Sequence, residues 1–515
     1  MVKPDELRGA HVLVAGAGIS GRAAAAALLR LGARVTVTDA RPEALTDLPE
    51  GAVAGPEELP SDVALVVTGP GRRPDHPLVT GARVPVVGEP ELAWWIGQAQ
   101  PLPAPWLAVT GTNGKTTTVG MLEAILRAAG QDAVACGNVG YPVVTAVGEG
   151  RDVLAVELSS FQLQWSPSIV PAAGCVLNVA EDHLDWHGSM AAYAAAKARA
   201  LRGPVAVCGV DDPAAAALLA AAPAQMRVGV TLAVPGPDQL GVDGGALVDR
   251  AFGGGALVDV AAVTPGGPSG LTDALAAAAL ARACGVPPAA VAAGLAAFRP
   301  GGHRGAVVAR VDGVTYVNDS KATNPHAADA ALTAAAAAVA SGRPPNRAAA
   351  DTRGATTTAA AVTAGAGASD GGTTAAAGEA AGGGLPAGAA AAAARSPAVV
   401  WIAGGLLKGA SVDALVAAHG PALRAVVVIG TDRAEIASAM RRHAPDVPVV
   451  EVTPGDDDAM AGIMTAAVRR AAALARPGDT VLLAPAAASM DQFTDYAARG
   501  DAFAAAAAAL PGSRS

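Results

Sequence analysis

Between Trp106 and Thr118 the chain reads WLAVTGTNGKTTT: an apolar run meets a glycine-rich turn, then Lys115 and Thr116, then residues suited to a helix. Phosphate binding asks for that order. Glycines let backbone N–H groups approach phosphate oxygens, and the first turn of a helix adds donors and a favourable dipole. Lys115 would reach the β- and γ-phosphates of a nucleoside triphosphate, and the Thr116 hydroxyl would ligate Mg²⁺. The spacing departs from GxxxxGK[ST], because Val109 stands where the first glycine belongs; the pattern is GxxGKT. An ordinary glycine turn before a helix would have no need of the Lys-Thr pair, so ATP use is the expectation.

Two further groups lie at the ends of later apolar runs. Glu157 closes VLAVEL, and His183 follows VLNV within EDHLDWH. Open parallel sheets gather ligands beyond the carboxyl ends of their strands, so both would face the phosphate loop. Glu157 is an oxygen ligand of the kind Mg²⁺ prefers, whereas His183 suits a second metal position with mixed ligands. Asp182, His183, Asp185 and His187 also admit a zinc reading, with the histidines at i and i+4, although there is no HExxH and no nearby cysteine; a solvated loop is the plainer alternative. A second glycine motif, GAGISG, presents Gly16, Gly18 and Gly21 after a strand, with Asp39 at the end of the next. By itself this dinucleotide fingerprint favours an NAD-dependent oxidoreductase.

The elements that must position these groups read as α/β throughout. HVLVAGAG, RVTVTDA and VALVVTGPG alternate with helical stretches, which implies a parallel sheet with helices on its faces. PLPAP, Pro101 to Pro105, is a stiff linker. A second unit starts at Trp106 and runs to about Phe298, and a third opens at HRGAVVARVDGVTYVNDSKATNP. The expected domains are 1–100, 106–298 and 299–515. Within the third, 341–397 is nearly all Ala, Gly, Thr, Ser and Pro without periodicity, and reads as a disordered insertion. A length of 515 residues suits about three domains.

Composition narrows the class. Hydrophobic residues make up 52% and charged residues 16%, which suits globular units. The net charge of −9 argues against a nucleic-acid binder. Cys136, Cys175, Cys208 and Cys284 form no CxxC pair and read as buried thiols of a reducing compartment. Without a signal-type start or a long strongly apolar run, no membrane insertion is expected and the setting is cytoplasmic. A monomer is expected.

GTNGKTTT, ELSSFQL, NVAEDHLDWH, YAAAKARAL, NDSKATNP and SMDQFTDYAARG together resemble the Mur ligases of peptidoglycan synthesis, in the branch that adds D-glutamate. The phosphate loop alone would also fit the sister ligases and folylpolyglutamate synthase, with another acceptor amino acid. The resemblance covers nearly the whole chain outside the low-complexity insertion. It implies three domains: an N-terminal Rossmann-like unit holding UDP, a central P-loop ATPase-like unit and a C-terminal Rossmann-like unit. It implies ATP-dependent joining of D-glutamate to UDP-N-acetylmuramoyl-L-alanine through an acyl phosphate. A non-catalytic relative would not need the intact Lys115, Thr116, Glu157, His183 and Lys197.

Residue by residue, the resemblance assigns Gly111, Thr112, Asn113, Gly114, Lys115, Thr116, Thr117, Asp273, Arg304, Asp319 and Lys321 to ATP. It assigns Ile19, Ser20, Arg41, Gly71, Asn138, Ser160, Gln162 and His183 to the UDP substrate, and Thr323, Lys408, Ser489, Met490 and Tyr496 to D-glutamate. Lys115, His183 and Lys197 would be catalytic. Two Mg²⁺ positions are implied, held by Thr116, Glu157, His183 and a carbamylated Lys197. Read without the resemblance, Lys197 is a solvated helix lysine, Lys408 a loop lysine and Asn138 part of a plain NxG turn. The match frays at PSGLTDALA, where many relatives carry His-Asn…Asn. There Asp273 would accept from the adenine amino group or adjoin the nucleotide.

Overall fold

The computed structural model describes residues 2–341, 399–453 and 462–512. The expected disordered insertion at 341–397 therefore lies outside the described residues, except for Ser341, which ends the helix Pro325–Ser341.

Three sheets follow one another along the chain. The first holds β1 (His11–Ala15), β2 (Arg34–Thr38), β3 (Val53–Ala54), β4 (Val63–Thr68) and β5 (Val86–Gly88) in the order β3-β2-β1-β4-β5, with every pairing parallel. The order reverses between β1 and β4, which opens a crevice at their carboxyl ends. The GAGISG turn leaves β1 there, and Gly69 N donates to Ala15 O across the gap at 2.9 Å. A Cβ on Gly21 would lie 1.8 Å from Gly16 O, so the third glycine of the motif lets the helix Ile19–Arg30 pack against its own turn.

The second sheet is larger than the three strands legible in the sequence. It comprises β6 (Trp106–Thr110), β7 (Ala133–Gly137), β8 (Val153–Glu157), β9 (Ala173–Val176), β10 (Val205–Gly209), β11 (Met226–Val230), β12 (Gln239–Asp243), β13 (Ala246–Asp249) and β14 (Gly255–Asp259). The order is β14-β13-β12-β11-β10-β9-β6-β8-β7, parallel from β7 to β12 and antiparallel at the final pairs. β6 thus lies between β8 and β9. All three are fully buried, as strands covered on both faces must be. Their carboxyl ends deliver the phosphate loop, Glu157 and the segment leading to His183 to one place.

The helix that follows the phosphate loop, Lys115–Ala128, is held between the sheet and the helices Gly267–Ala283 and Pro288–Ala297. Residues Ala274 to Ala281 are all fully buried, which gives the alanine-rich composition its use: small side chains let this helix sit close on all sides. At Gly294 the approach is at backbone distance, since a Cβ would lie 2.3 Å from Ile125 Cα.

The third sheet has the order β15-β16-β20-β17-β18-β19, built from β15 (Ala306–Val311), β16 (Val314–Asn318), β17 (Val399–Gly404), β18 (Leu423–Ile429), β19 (Val449–Glu451) and β20 (Thr480–Leu483). Its pairings are parallel except β15 with β16.

The units are joined unequally. One continuous core runs from Leu28, Val67 and Trp95 of the first unit to Trp106, Cys136, Val144 and Leu163 of the second. Fully buried Glu91 ties the same junction, accepting from Trp95 Nε1 at 2.9 Å and Ser168 N at 3.1 Å. The third unit has cores on both faces of its sheet, made of its own residues. Among the described residues no helix is long and apolar enough to cross a membrane. The four cysteines are free, three of them buried.

Overpacking a filled interface typically costs about 1–3 kcal/mol. Gly294→Ala should lower the stability of the central unit by about that amount in a urea titration, because it drives the helices apart. An unchanged midpoint would show that the contact yields freely.

Candidate active site

The phosphate loop is clamped by side chains of its own unit. Asn178 Oδ1, just beyond β9, accepts from Thr112 N at 3.0 Å and Asn113 N at 2.9 Å. Thr112 Oγ1 meets Tyr193 OH at 3.2 Å and accepts from Ala180 N at 2.9 Å. Gly114 has φ +86°, and a Cβ there would lie 2.2 Å from Asp273 Oδ1, so this position requires glycine on both counts. Lys115 Nζ folds back over the loop and donates to Gly111 O and Thr112 O, each at 2.9 Å.

Lys197 corrects the surface-lysine reading. It is 1% exposed, at the buried end of the helix Met190–Ala198, and its Nζ donates to Gly111 O at 2.8 Å while lying 4.4 Å from the Tyr193 ring centre. Nothing in the local pattern YAAAKARAL could signal this, because the burial comes from the phosphate loop across the sheet. Burial, reinforced by the facing Lys115 charge, pushes the Lys197 amine well below the usual lysine range. Burial also lowers Lys115, which Glu157 and Asp182 partly offset.

Glu157, 1% exposed, ends β8 beside this pair. Its Oε1 accepts from Asn138 Nδ2 at 2.8 Å, while Oε2 is buried without a partner. A buried anionic oxygen left open is the kind of donor a hard divalent cation takes up. Asn138, assigned above to the substrate, thus has an intramolecular partner that orients the carboxylate. Ser160 Oγ likewise pairs with His187 Nε2 at 2.9 Å, and Gln162 Oε1 accepts from Ser159 N at 2.9 Å in a capping box that starts the helix Ser160–Gln164.

His183 has φ +55°, an uncommon backbone for a side chain, and lies edge-on to Phe161 with ring centres 4.6 Å apart. Burial pushes it down to about 4, against the pull of Asp182 whose Oδ2 is 3.5 Å from Nε2. The ring is therefore neutral near pH 7, the form a metal ligand needs. His187 turns instead to Ser160 and stacks on Phe161. Among the described residues no group of three or more His, Cys, Asp or Glu side chains is placed to hold a metal ion, so the zinc cluster read from Asp182, His183, Asp185 and His187 is not assembled.

The third unit reaches the phosphate loop through polar groups. Arg304 donates to Thr117 Oγ1 at 3.0 Å, Asn324 Nδ2 donates to Asn113 Oδ1 at 3.0 Å, and His326 Nδ1 lies 2.8 Å from Asn113 Nδ2. Burial pushes the Asp319 carboxyl up to about 7 and the Lys321 amine down to about 8; Lys321 lies 3.9 Å from the Tyr496 ring centre. Lys408, also at positive φ (+54°), lies near enough for its charge to weigh on His183. Ser489 is buried and Met490 is 69% exposed beside it. Thr323 follows on the Lys321 turn, its N–H donating to Lys321 O at 2.8 Å.

Arg499 escaped the sequence reading. It is fully buried and donates to Ser320 Oγ and Ser320 O, each at 2.9 Å, and to Ala487 O at 3.0 Å, which fixes the Asp319–Lys321 turn against the Ser489 loop. It falls inside the motif SMDQFTDYAARG but was given no role there. Asn178 and Asn324 were equally unmarked, although both fall inside the motifs.

At the far end, Ser20 lines a crevice with Thr68, Glu89, Gln162 and Trp165, which brings the first glycine turn against the central unit. Ile19 is 68% exposed at the mouth of that turn. Arg41 is exposed, its N–H donating to Asp39 Oδ1 at 3.0 Å, and Asp39 Oδ2 accepts from Ala17 N at 2.9 Å. Gly71 O accepts from Trp186 Nε1 at 3.3 Å, and Arg73 donates to Asp185 O at 2.8 Å, so the turn after β4 is bound to the His183 segment.

Asp273 sits under the phosphate loop, in reach of the Thr117 and Thr118 hydroxyls, which suits a place adjoining the nucleotide phosphates rather than an adenine contact. Burial pushes its carboxyl up to about 8, with Arg304 opposing. The native state therefore keeps a proton that the unfolded chain, titrating near 3.8, has released. That contribution to stability is full below about pH 4 and lost as pH rises through about 8. The thermal midpoint of ligand-free Asp273→Asn, relative to wild type, should consequently rise between about pH 6 and about pH 9. A difference independent of pH would mean the carboxyl is ionised throughout.

Comparison with known proteins agrees with this geometry. Residues 109–233 match the Mur ligase middle domain, and residues 3–56 match the alanine dehydrogenase/PNT C-terminal domain. The chain is 49% identical to the UDP-N-acetylmuramoylalanine–D-glutamate ligase of Mycolicibacterium vanbaalenii, over 97% of this chain and 98% of that one. It is 48% identical to the ligase of the same name from Mycobacterium avium, over 97% and 96%. Among solved structures, a pseudomurein peptide ligase type C from Methanothermus fervidus matches with TM-score 0.52 at 16% identity, covering 92% of this chain and 96% of that one. A MurF ligase from Thermotoga maritima in complex with ADP matches with TM-score 0.51 at 15% identity, covering 98% and 96%. The two structures share the fold. With near-complete coverage at almost half identity, the chain belongs to the UDP-N-acetylmuramoylalanine–D-glutamate ligases of the Mur ligase family.

Proposed function

We propose that the loop Gly111–Thr117, Glu157, His183 and Lys197 form the ATP- and metal-binding centre, with Arg304, Asp273, Asp319 and Lys321 completing the nucleotide site. As a member of its family, this chain is an ATP-dependent ligase that adds D-glutamate to UDP-N-acetylmuramoyl-L-alanine in peptidoglycan precursor synthesis. The observation that carries the assignment is the convergence of the phosphate loop, an open Glu157 oxygen and a neutral His183 at the ends of β6, β8 and β9. We place the reaction in the cytoplasm.

The alanyl carboxylate attacks the γ-phosphorus of ATP and ADP leaves, giving an acyl phosphate. The amine of D-glutamate then attacks the acyl carbon; the tetrahedral intermediate expels phosphate and the amine proton is released. The first step brings two anions together. Lys115, the backbone N–H groups of Gly111–Thr116 and Arg304 would offset that charge, acting most strongly where water is excluded. Mg²⁺, held by Thr116 and Glu157 at one position and by His183 and carbamylated Lys197 at another, would add positive charge at the phosphate oxygens. Ile19, Ser20, Arg41 and Gly71 would hold the UDP end, with Asn138, Ser160, Gln162 and His183 along the muramoyl-alanine part. Lys408 would meet a carboxylate of D-glutamate among Thr323, Ser489, Met490 and Tyr496.

Carbamylation of Lys197 is supported by its chemistry. Burial favours the unprotonated amine of Lys197, whose electron pair can attack the carbon of CO₂; loss of a proton then leaves a carbamate anion beside Lys115.

Phosphate release should require ATP, UDP-N-acetylmuramoyl-L-alanine and D-glutamate together; equal release with L-lysine or diaminopimelate in place of D-glutamate would reassign the acceptor. Lys115→Ala should lower the rate about 10²–10³-fold, and near-normal turnover would remove Lys115 from the centre. For Lys197, ¹³C-bicarbonate should give a protein-bound carbamate resonance that Lys197→Met abolishes. A resonance that survives the substitution, or none in the active wild-type enzyme, would refute the modification.

A further inference from the structure

Glu89 is a buried acid that the reaction above does not use. It opens the helix Glu89–Gln98 directly after β5, is 3% exposed and lines the crevice with Ser20, Thr68 and Gln162. Its Oε1 accepts from Val144 N at 2.6 Å, in the other unit, and Oε2 is buried without a partner. Val144 lies in the first turn of the short helix Val143–Val147, whose own N-cap, Pro142, offers no side-chain cap. Glu89 therefore supplies, from the first unit, the acceptor that the start of this helix lacks.

That helix leads straight to the centre. It follows the Asn138–Pro142 turn, in which Gly137 N donates to Tyr141 O at 2.7 Å and Asn138 N to Glu157 O at 2.9 Å. The turn cannot shift freely, because Gly137 has φ +95° and a Cβ there would lie 2.2 Å from Glu157 O. At its head, Asn138 Nδ2 holds Glu157 Oε1. Glutamine at position 89 would offer Val144 the same acceptor without a buried ionisable group, so capping alone does not account for an acid whose second oxygen faces no partner.

We propose that Glu89 is a positioning residue of the ligase: it links the substrate crevice, through the Val143–Val147 helix and the Asn138 turn, to the orientation of the Glu157 carboxylate. The link rests on the role given above to Glu157. Its mechanical part is the Val144 bond, which fixes where the turn stands; its sensing part is Oε2, buried and unpartnered beside the crevice residues, which a hydroxyl or amide N–H of the UDP-linked substrate would reach on entering there.

A double-mutant cycle in the full-length enzyme tests this. Asn138→Ala should lower kcat about 10–100-fold, the usual effect of removing a partner that orients a metal-facing carboxylate. Glu89→Ala should lower kcat about 10-fold with the KM for ATP and for D-glutamate within about threefold, and the double variant should be no worse than Asn138→Ala within about twofold. Glu89→Gln, which keeps the Val144 acceptor, should hold kcat within about threefold while raising the KM for the UDP substrate. Additive losses in the cycle, or a Glu89→Gln enzyme as slow as Glu89→Ala, would overturn the linkage while leaving Glu157 in place. An unimpaired Asn138→Ala enzyme would instead overturn the role of the Asn138–Glu157 pair, and the linkage with it. If Glu89→Ala does not fold, Glu89→Asp, too short to reach Val144 N, takes its place in the cycle with the same expected non-additivity.

Discussion

Lys115 and Lys197 both donate to the carbonyl of Gly111. Two ammonium groups that share one acceptor repel each other, and Lys197, being buried, cannot turn to solvent to relieve it. Both the repulsion and the burial lower the Lys197 amine, which Tyr193 covers and for which burial is the largest influence. Much of the site is arranged around that asymmetry. Lys115 keeps a route to the phosphates at the mouth of the loop, and burial shifts Lys197 toward its unprotonated form. The Asn178 and Tyr193 clamps stop the loop from moving away to relieve the strain.

The junctions between the units differ in kind. The first two units share a hydrophobic core, and Glu89 and Glu91 each bond across the junction. The third unit has complete cores of its own, so its approach to the phosphate loop need not exclude a large apolar surface. Its contacts through Arg304, Asn324 and His326 are hydrogen bonds that water can replace, which is the usual character of an interface that opens and closes.

The sequence carried those parts of this arrangement that depend on local rules. A strand, a glycine turn and a Lys-Thr helix start suffice to place Gly111–Thr118, because each signal acts within a few residues. Glu157 and His183 were legible because strand ends in a parallel sheet share a side. The Ala-rich helix Gly267–Ala283 and the antiparallel pairs β12–β14 gave weaker signals, and the sheet came out broader than its three readable strands. What could not be read were consequences of distance in the chain. Lys197 looked solvated because its covering loop is 86 residues away. Asn138 looked free to meet substrate because its partner Glu157 is fixed only by the tertiary fold, whereas the Ser159–Gln162 capping box was a local signal that went unread. Resemblance to a family supplied roles for Lys197 and Lys408 that spacing alone did not.

Small residues then determine how closely those distant parts can approach. The buried run Ala274–Ala281 packs a helix at short range, and that helix carries Asp273 to the underside of Gly114. With larger side chains along the run the helix would stand off, and the carboxyl would lose its contact with the first turn of the phosphate-loop helix. Asp273 thereby gains Thr117 and Thr118 as partners but is buried deeply enough to keep its proton at neutral pH. A neutral carboxyl under the loop matters for the chemistry, because an ionised one would set a fixed negative charge beneath phosphates that Lys115 and Arg304 are there to attract. The alanine-rich composition and the charge balance of the nucleotide site are in this sense one constraint: close packing places the acid, and the burial that packing imposes removes its charge.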